Sequence, residues 1–315
     1  MGLLTSSNVQ IYPSKIRIIP NDKIGKSFFN LSFLAFDSLV NGKVGNITEL
    51  KNFKKVGSIR SAINIKVSDD FSITEPFDLF DCSVLSVCIS EWVKGNFFTT
   101  PTIIYRGLTG KVGRGDAEPS SSQYDDILTS VEKLMRIQAS FDLSQYSQFL
   151  GDGNSKKFVS TILPSQYLQN TTINGKPATI INFTAESPLL SIAKFKNNQL
   201  LSFDASLLDI PHQQNTRLNI IVKTFAFIRV FDIINHKLTP VITFDDFYQK
   251  CRIENVHCEV QRRARDSLLG VLEHLKSKKV IKNFLVEKKG RAFRAVKIFY
   301  CPKQLDLTGT ANIVI

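Results

Sequence analysis

Between Cys251 and Lys303 the sequence holds 14 Lys/Arg against 5 Asp/Glu. Three arginines, Arg262, Arg263 and Arg265, stand close together there with Gln261 beside them. A guanidinium offers paired donors, which match phosphate oxygens or the O6/N7 edge of guanine; the guanine contact discriminates by about 1–3 kcal/mol. Lys278, Lys279, Lys282, Lys288, Lys289, Arg291 and Arg294 follow, and cations at this density meet phosphates. These residues, Gln261 to Arg294, are the candidate DNA contacts. A solvated face would also carry such a run. Against it, the arginines fall in the first half of an expected helix, Glu259 and Asp266 are too few to neutralise them, and the following stretch adds six further cations. If half a dozen met phosphates, affinity would fall with salt at a log–log slope of roughly −5.

Other chemistries find no constellation. The histidines His212, His236, His257 and His274 form no HxH, HExxH or HxxxH pair, and Cys251 with His257-Cys258 lacks a second pair at zinc-finger spacing. No metal, no cofactor and no catalytic residue is therefore expected. The acidic pairs Asp125-Asp126 and Asp245-Asp246 lie near expected helix N-termini, where the helix dipole favours them. Gly25-Lys26-Ser27 fails as a phosphate loop because Pro20 stands where a glycine is required. The glycine-rich run Gly110–Pro119 lacks the strand–turn–helix setting of a dinucleotide site and reads as a flexible connector. No GxSxG, kinase or Walker pattern is present.

The elements that must position the cations are a helix and a hairpin. Val260, Ala264, Leu268, Val271, Leu272 and Leu275 have the spacing of one buried helical stripe, from which Arg262 and Arg265 project away. After Lys279 the period shortens toward two. Val280–Val286 and Phe293–Phe299 read as strands, with Glu287–Arg291 as the turn.

Upstream, the same rhythm recurs. Phe77–Val93 reads as a helix with Phe80, Val84, Val87 and Cys88 on one side, stopped by Gly95-Asn96. A second helix opens at Thr100-Pro101, threonine as cap and proline at the first position, and closes at Gly110. A third spans about Ser122–Gln138, with Ser122 and Asp125 at capping-box spacing. Strands follow at Phe158–Leu163 and in a hairpin, Tyr167–Ile173 with Ala178–Phe183, around Asn174-Gly175. Lys176 is that hairpin's one charge, which favours packing or self-association over phosphate contact. Leu189–Phe195 and Leu200–Phe203 read as a further hairpin across Asn197-Asn198. Asp209–Thr216 interrupts the pattern and marks a boundary. Beyond it Arg217–Ile234 forms a long helix on Ile221, Phe225, Ile228 and Phe231, and Thr243 with Asp246 opens a short one. Residues 1–74 are an extension with short strands around Ile16–Ile18 and Ile63–Val67, and Phe28–Val40 between them is helix or strand pair, ended by Asn41-Gly42.

The expected architecture is thus α+β: two tandem winged-helix domains, 75–210 and 211–303, after the 1–74 extension and before a 304–315 tail. Scattered cysteines (Cys82, Cys88, Cys251, Cys258, Cys301) suit a reducing, cytoplasmic compartment. The N-terminus lacks a signal-peptide plan, and no apolar run approaches a membrane span. MGLLTS matches a loose acylation pattern that chance supplies often.

Three stretches, NDKIGKSFFN, SEWVKGNFFTTPTIIYRGLTGK and RRARDSLLGVLEHLKSKKVIKNF, together with the element order over 75–302, resemble the Rep-type replication initiators of iteron-carrying plasmids. That resemblance implies two winged-helix domains in tandem. The second would read repeated origin sequences in double-stranded DNA, and the first would support dimerisation and contacts with host initiator or helicase-loading proteins. It assigns base contacts to Arg262 and Arg265 with Gln261 as neighbour, and phosphate contacts to the wing lysines. The N-terminal 75 residues are longer and richer in strand than the family implies. A transcriptional or phage regulator on the same fold, and a structural protein holding nucleic acid without sequence preference, are the other expectations.

Overall fold

The computed structural model describes residues 13–20, 65–68, 71–73, 77–142, 157–173, 176–195, 200–236 and 238–300. Phe28–Val40, the Gly25-Lys26-Ser27 run, the Asn41-Gly42, Asn174-Gly175 and Asn197-Asn198 turns, Cys301 and the tail lie outside these. In chain order the elements are β1 (Ile16–Pro20), β2 (Ile65–Ser68), β3 (Phe71–Ile73), α1 (Leu79–Val93), β4 (Phe98–Thr99), α2 (Pro101–Thr109) and α3 (Ser121–Arg136). Then come β5 (Gln138–Asp142), β6 (Lys157–Thr161), β7 (Ser165–Ile173), β8 (Lys176–Phe183), α4 (Pro188–Phe195) and β9 (Leu200–Asp204). After a 3₁₀ turn (Ala205–Leu208) follow α5 (Arg217–Ile234), β10 (Val241–Thr243), α6 (Phe244–Lys250), α7 (Cys258–Ser277), β11 (Asn283–Lys289) and β12 (Ala292–Phe299). The fold is mixed α+β with antiparallel sheets.

Local chemistry sets most boundaries. Thr100 and Thr243 close two-strand entries into short helices in the same way: each hydroxyl accepts the backbone N–H three residues on, from Ile103 and Asp246. Thr216 caps α5 through Asn219 N–H. Gly110 ends α2 at φ +77°, and a Cβ there would sit 2.3 Å from Asp209 N and 2.7 Å from the Leu208 carbonyl carbon. Only glycine meets both demands. The α3 capping box is Ser120 with Gln123 rather than Ser122 with Asp125, because glutamine at the third position reaches back to the cap N–H.

Two six-element sets follow one order. In the first, α1, β4, α2, α3, β7 and β8 include a sheet of order β4-β8-β7; in the second, α5, β10, α6, α7, β11 and β12 include a sheet of order β10-β12-β11. In each, a short strand runs straight into a threonine-capped short helix and pairs with the last strand of the set. Between α3 and β7 the first set accommodates β5 and β6, which join β2 and β3 in a separate four-stranded sheet.

The expected hairpin at Leu189–Phe203 is absent. Pro188–Phe195 is the helix α4, and β9 pairs instead with β1, Ile16 opposite Asp204 through Pro20 opposite Leu200. Arg17, on β1, is buried at 4% exposure and donates to the Ser83 and Gly107 carbonyls, both at 3.2 Å. Burial brings its guanidinium down to about 9, against the opposing pull of Cys88 and Glu91.

Helix α1 is buried all round rather than along one stripe, since β1, α2, α3 and α5 all pack on it. Its serines satisfy themselves along the helix, Ser83 to the Leu79 carbonyl and Ser90 to that of Ser86. Trp92, near its end, meets Phe97 and Phe183 edge-on at 5.2 and 6.4 Å between centroids. One apolar cluster runs from Phe80 and Leu85 through Phe225, Phe227 and Phe231 to Leu268 and Val296. Phe203 stacks on Phe227 and Phe231.

Polar ties cross the same junction. Arg217 reaches Asp78 at 2.7 Å and Asp126 at 3.4 Å, with its guanidinium carbon 4.4 Å from the Phe80 ring centroid. Burial works to raise the Asp78 carboxyl, and Arg217 brings it below its ordinary value. Ser83 and Thr224 hydroxyls meet at 2.6 Å, and Arg252 donates to the Phe77 carbonyl at 2.8 Å.

The strap from Ala205 to Thr216 is held from both sides. Gln123 donates to the Asn215 carbonyl and Arg114 pairs with Asp209 on one side; Gln213 binds Ser267 of α7 on the other. Lys223, 1% exposed, donates to the Leu208 carbonyl and Asn215 Oδ1, both at 3.0 Å, and burial lowers its ammonium to about 8. No helix among the described residues is long and apolar enough to cross a membrane.

Candidate nucleic-acid interface

The interface is assembled from the turn after α6 upward. Arg252 takes φ +56° and Ile253 tucks into the core, turning the chain from α6 into α7. His257 caps α7, its Nδ1 accepting the Glu259 N–H at 3.2 Å. Gln261 spends both donor bonds on this turn, reaching the Ile253 and Glu254 carbonyls at 2.9 and 3.0 Å. Ala264, Leu268, Val271, Leu272 and Leu275 are fully buried, as their spacing requires. Each leucine or valine so buried contributes about 1.5–3 kcal/mol. That stripe fixes the rotation of the helix and so leaves Arg262 and Arg263 on the outside.

The arginines are engaged in different ways. Glu259 holds Arg262 through two hydrogen bonds, 2.8 Å from Nε and 2.7 Å from Nη2, and receives Arg263 Nε at 3.2 Å. The bond from Arg262, then that from Arg263, holds the Glu259 carboxyl down to about 2. Arg265 lies flat instead. Its guanidinium carbon is 4.0 Å from the Phe293 ring centroid, and Asp266 accepts from it at 3.3 Å. Lys288 Nζ stands 4.4 Å from the same ring centre. Phe293 also meets Phe244 edge-on at 5.8 Å, so a core ring carries the contact between hairpin and helix.

The hairpin turns at Gly290, φ +60°, and the register shifts between Glu287 and Lys288. Its turn is shorter than the five residues expected, and β11 starts at Asn283 because Val280 and Ile281 are buried under the helix end. The hairpin doubles back along α7, bringing Lys288 over Phe293 beside Arg265; Lys289, Arg291 and Arg294 surround that tip on exposed positions. Lys278, Lys279 and Lys282 stand elsewhere. Lys278 caps the far end of α7, 16 residues beyond Arg262, or roughly 24 Å at 1.5 Å per residue. The candidate contacts therefore fall into two groups: Arg262, Arg263 and Arg265 with the hairpin tip, and a separate lysine trio at the hairpin base.

Sequence spacing alone contained one signal left unread, the i, i+3 and i, i+4 relation of Glu259 to Arg262 and Arg263. Phe293 could not be found that way, because its role depends on a fold-back. The glycine-rich 110–119 loop is tied down, contrary to expectation: Arg106 donates to the Ala117 and Gly115 carbonyls and pairs with Glu118. A cleft of about 260 Å³ at the junction is lined by Asp78, Arg217, Lys250, Arg252 and apolar neighbours, and Asp78 already answers Arg217. No group of three metal-ligating side chains occurs among the described residues.

The segment that holds the first set differs in charge. Residues 75–210 carry 14 Asp/Glu against 11 Lys/Arg, whereas 211–303 carry 19 Lys/Arg against 8 Asp/Glu. No family model matches the chain, and none of the curated proteins or solved structures compared with it does.

Proposed function

We propose that this chain binds double-stranded DNA with sequence preference through α7 and the β11–β12 hairpin, and that it serves as a replication initiator. In this reading both six-element sets are winged helices. The order helix–strand–helix–helix–strand–strand, with the first strand pairing the last, supports that assignment for each. The observation that carries the DNA reading is the meeting of Arg265 and Lys288 on Phe293, which sets a hairpin tip with exposed Lys289, Arg291 and Arg294 against a helix that exposes Arg262 and Arg263 and buries its other side. A recognition helix lies in the major groove while the wing meets the backbone. The first set, acidic on balance, suits protein contacts: a second copy of the chain, or host initiator and helicase-loading proteins. The initiator role itself rests on the Rep-type resemblance.

Selection of bound duplexes from a randomised library, followed by mobility shifts, tests the reading. An enriched motif is expected. Arg262→Ala should lower the preference for it by about 1–3 kcal/mol, while Lys288→Ala should weaken all duplexes alike and reduce the log–log salt slope by about 1. Equal affinity for random duplex at moderate salt would overturn the proposal. Direct repeats of the motif beside the gene would separate an initiator from a regulator.

A further inference from the structure

Glu259 and Asp266 are the acids that α7 places among the arginines of the proposed reading face, and Glu259 is the one that holds two of them. It stands at the second position of α7, where the helix dipole alone would justify an acid. The dipole does not account for what the carboxylate holds. Oε2 accepts from Arg262 Nε and Oε1 from Arg262 Nη2, so two neighbouring acceptors face the guanidinium edge. Guanine O6 and N7 present the same side-by-side pair of acceptors. The Arg262 side chain is 58% exposed and that of Glu259 36%, so the pair lies open to a duplex. Arg265, by contrast, is committed to Phe293 and Asp266.

Resting on the DNA-binding reading, we propose that Glu259 and Arg262 are the closed form of a base-reading pair, opened by a G·C base pair and not by the phosphate backbone. On opening, Arg262 exchanges two carboxylate oxygens for guanine O6 and N7 and loses no hydrogen bond. Glu259 keeps Arg263 on Oε1, and its vacated Oε2 faces the groove, where the cytosine N4 amino group is a donor for it. A phosphate offers Arg262 another anion but leaves Glu259 facing like charge, so that exchange gains little. An A·T pair gives the guanidinium adenine N7 or thymine O4 without a second acceptor alongside. The magnitudes agree with such a gate. An exposed ion pair holds its closed state by up to about fivefold, and a bidentate guanine contact discriminates by roughly 5- to 150-fold.

The test runs the full-length wild type, E259Q and R262A through the same randomised-duplex selection, then titrates each with the enriched and a scrambled duplex. E259Q keeps the size of the side chain and removes the anion. The wild-type motif should contain one position restricted to G·C. In E259Q the preference at that position should fall by up to about fivefold, with affinity for the scrambled duplex raised, and R262A should lose the same position. If E259Q strengthens every duplex by one factor and leaves the motif unchanged, Glu259 is a screening charge and the inference fails. A motif with no G·C position dependent on Arg262 also overturns it while leaving sequence-specific binding intact. Absence of any wild-type motif removes both.

Discussion

Arg265 and Lys288 share the ring of Phe293, which makes that phenylalanine the link between α7 and the β11–β12 hairpin. Arg265→Ala and Phe293→Ala should each destabilise, and the double variant should fall short of their sum by about 0.5–2 kcal/mol, the range of a partly desolvated cation–ring pair. Urea midpoints of the four proteins measure it; simple additivity would show the contact to be incidental. His274, on the buried side of the same helix, adds a pH dependence. Burial lowers its pKa below the ordinary 6.5, with Lys278 pushing the same way, while a bond with the Leu207 backbone raises it. Lys223 also lowers it and Asp209 raises it, and Nε2 is buried without a partner. The unfolded chain therefore binds this proton more readily than the folded one. The contribution is complete above pH 6.5 and is lost as pH falls through the lowered value. His274→Gln should flatten the wild-type decline in stability between pH 7 and pH 5, as followed by denaturant midpoint.

Elements declared themselves in the sequence wherever one residue type carries the boundary. Thr100-Pro101 and Thr243 mark helix starts that hold in the structure, and α5 spans Arg217–Ile234 as its pattern requires. Leu189–Phe195 reads as strand because a short apolar run has no decisive period; Pro188 before it, which suits a first helical position, is the sign of the helix. The β1–β9 pair was beyond reach, since its strands lie some 180 residues apart and alternation names no partner. Of the candidate site, the helix face was legible from its stripe, whereas the separation of Lys278, Lys279 and Lys282 from the hairpin tip required the hairpin to be seen doubling back. Gly110 is where an element boundary meets tertiary packing. Gly110→Ala should cost at least about 2 kcal/mol, combining a left-handed backbone with a clash against the Leu208–Asp209 backbone. A loss under 0.5 kcal/mol in equilibrium unfolding would mean the strap yields freely.

At the scale of the molecule, the two sets share a core and a doubly anchored strap. Asp78–Arg217, Ser83–Thr224 and Gln123–Asn215 each join residues more than 90 positions apart. Separate cores would unfold in separate steps; this packing predicts one transition. Far-UV circular dichroism and tryptophan emission should give coincident denaturation curves, and a plateau between two transitions would contradict the shared core.

Trp92 is the chain's one tryptophan, and it sits near the end of α1 between Phe97 and Phe183, in the first set. Its emission is thus an optical label already built into one half of the protein. Duplex titrated onto α7 would leave that light unaltered unless the first set also responds. A spectral shift on adding DNA would then report communication across the strap, and a silent titration would report two halves joined in folding yet independent in binding.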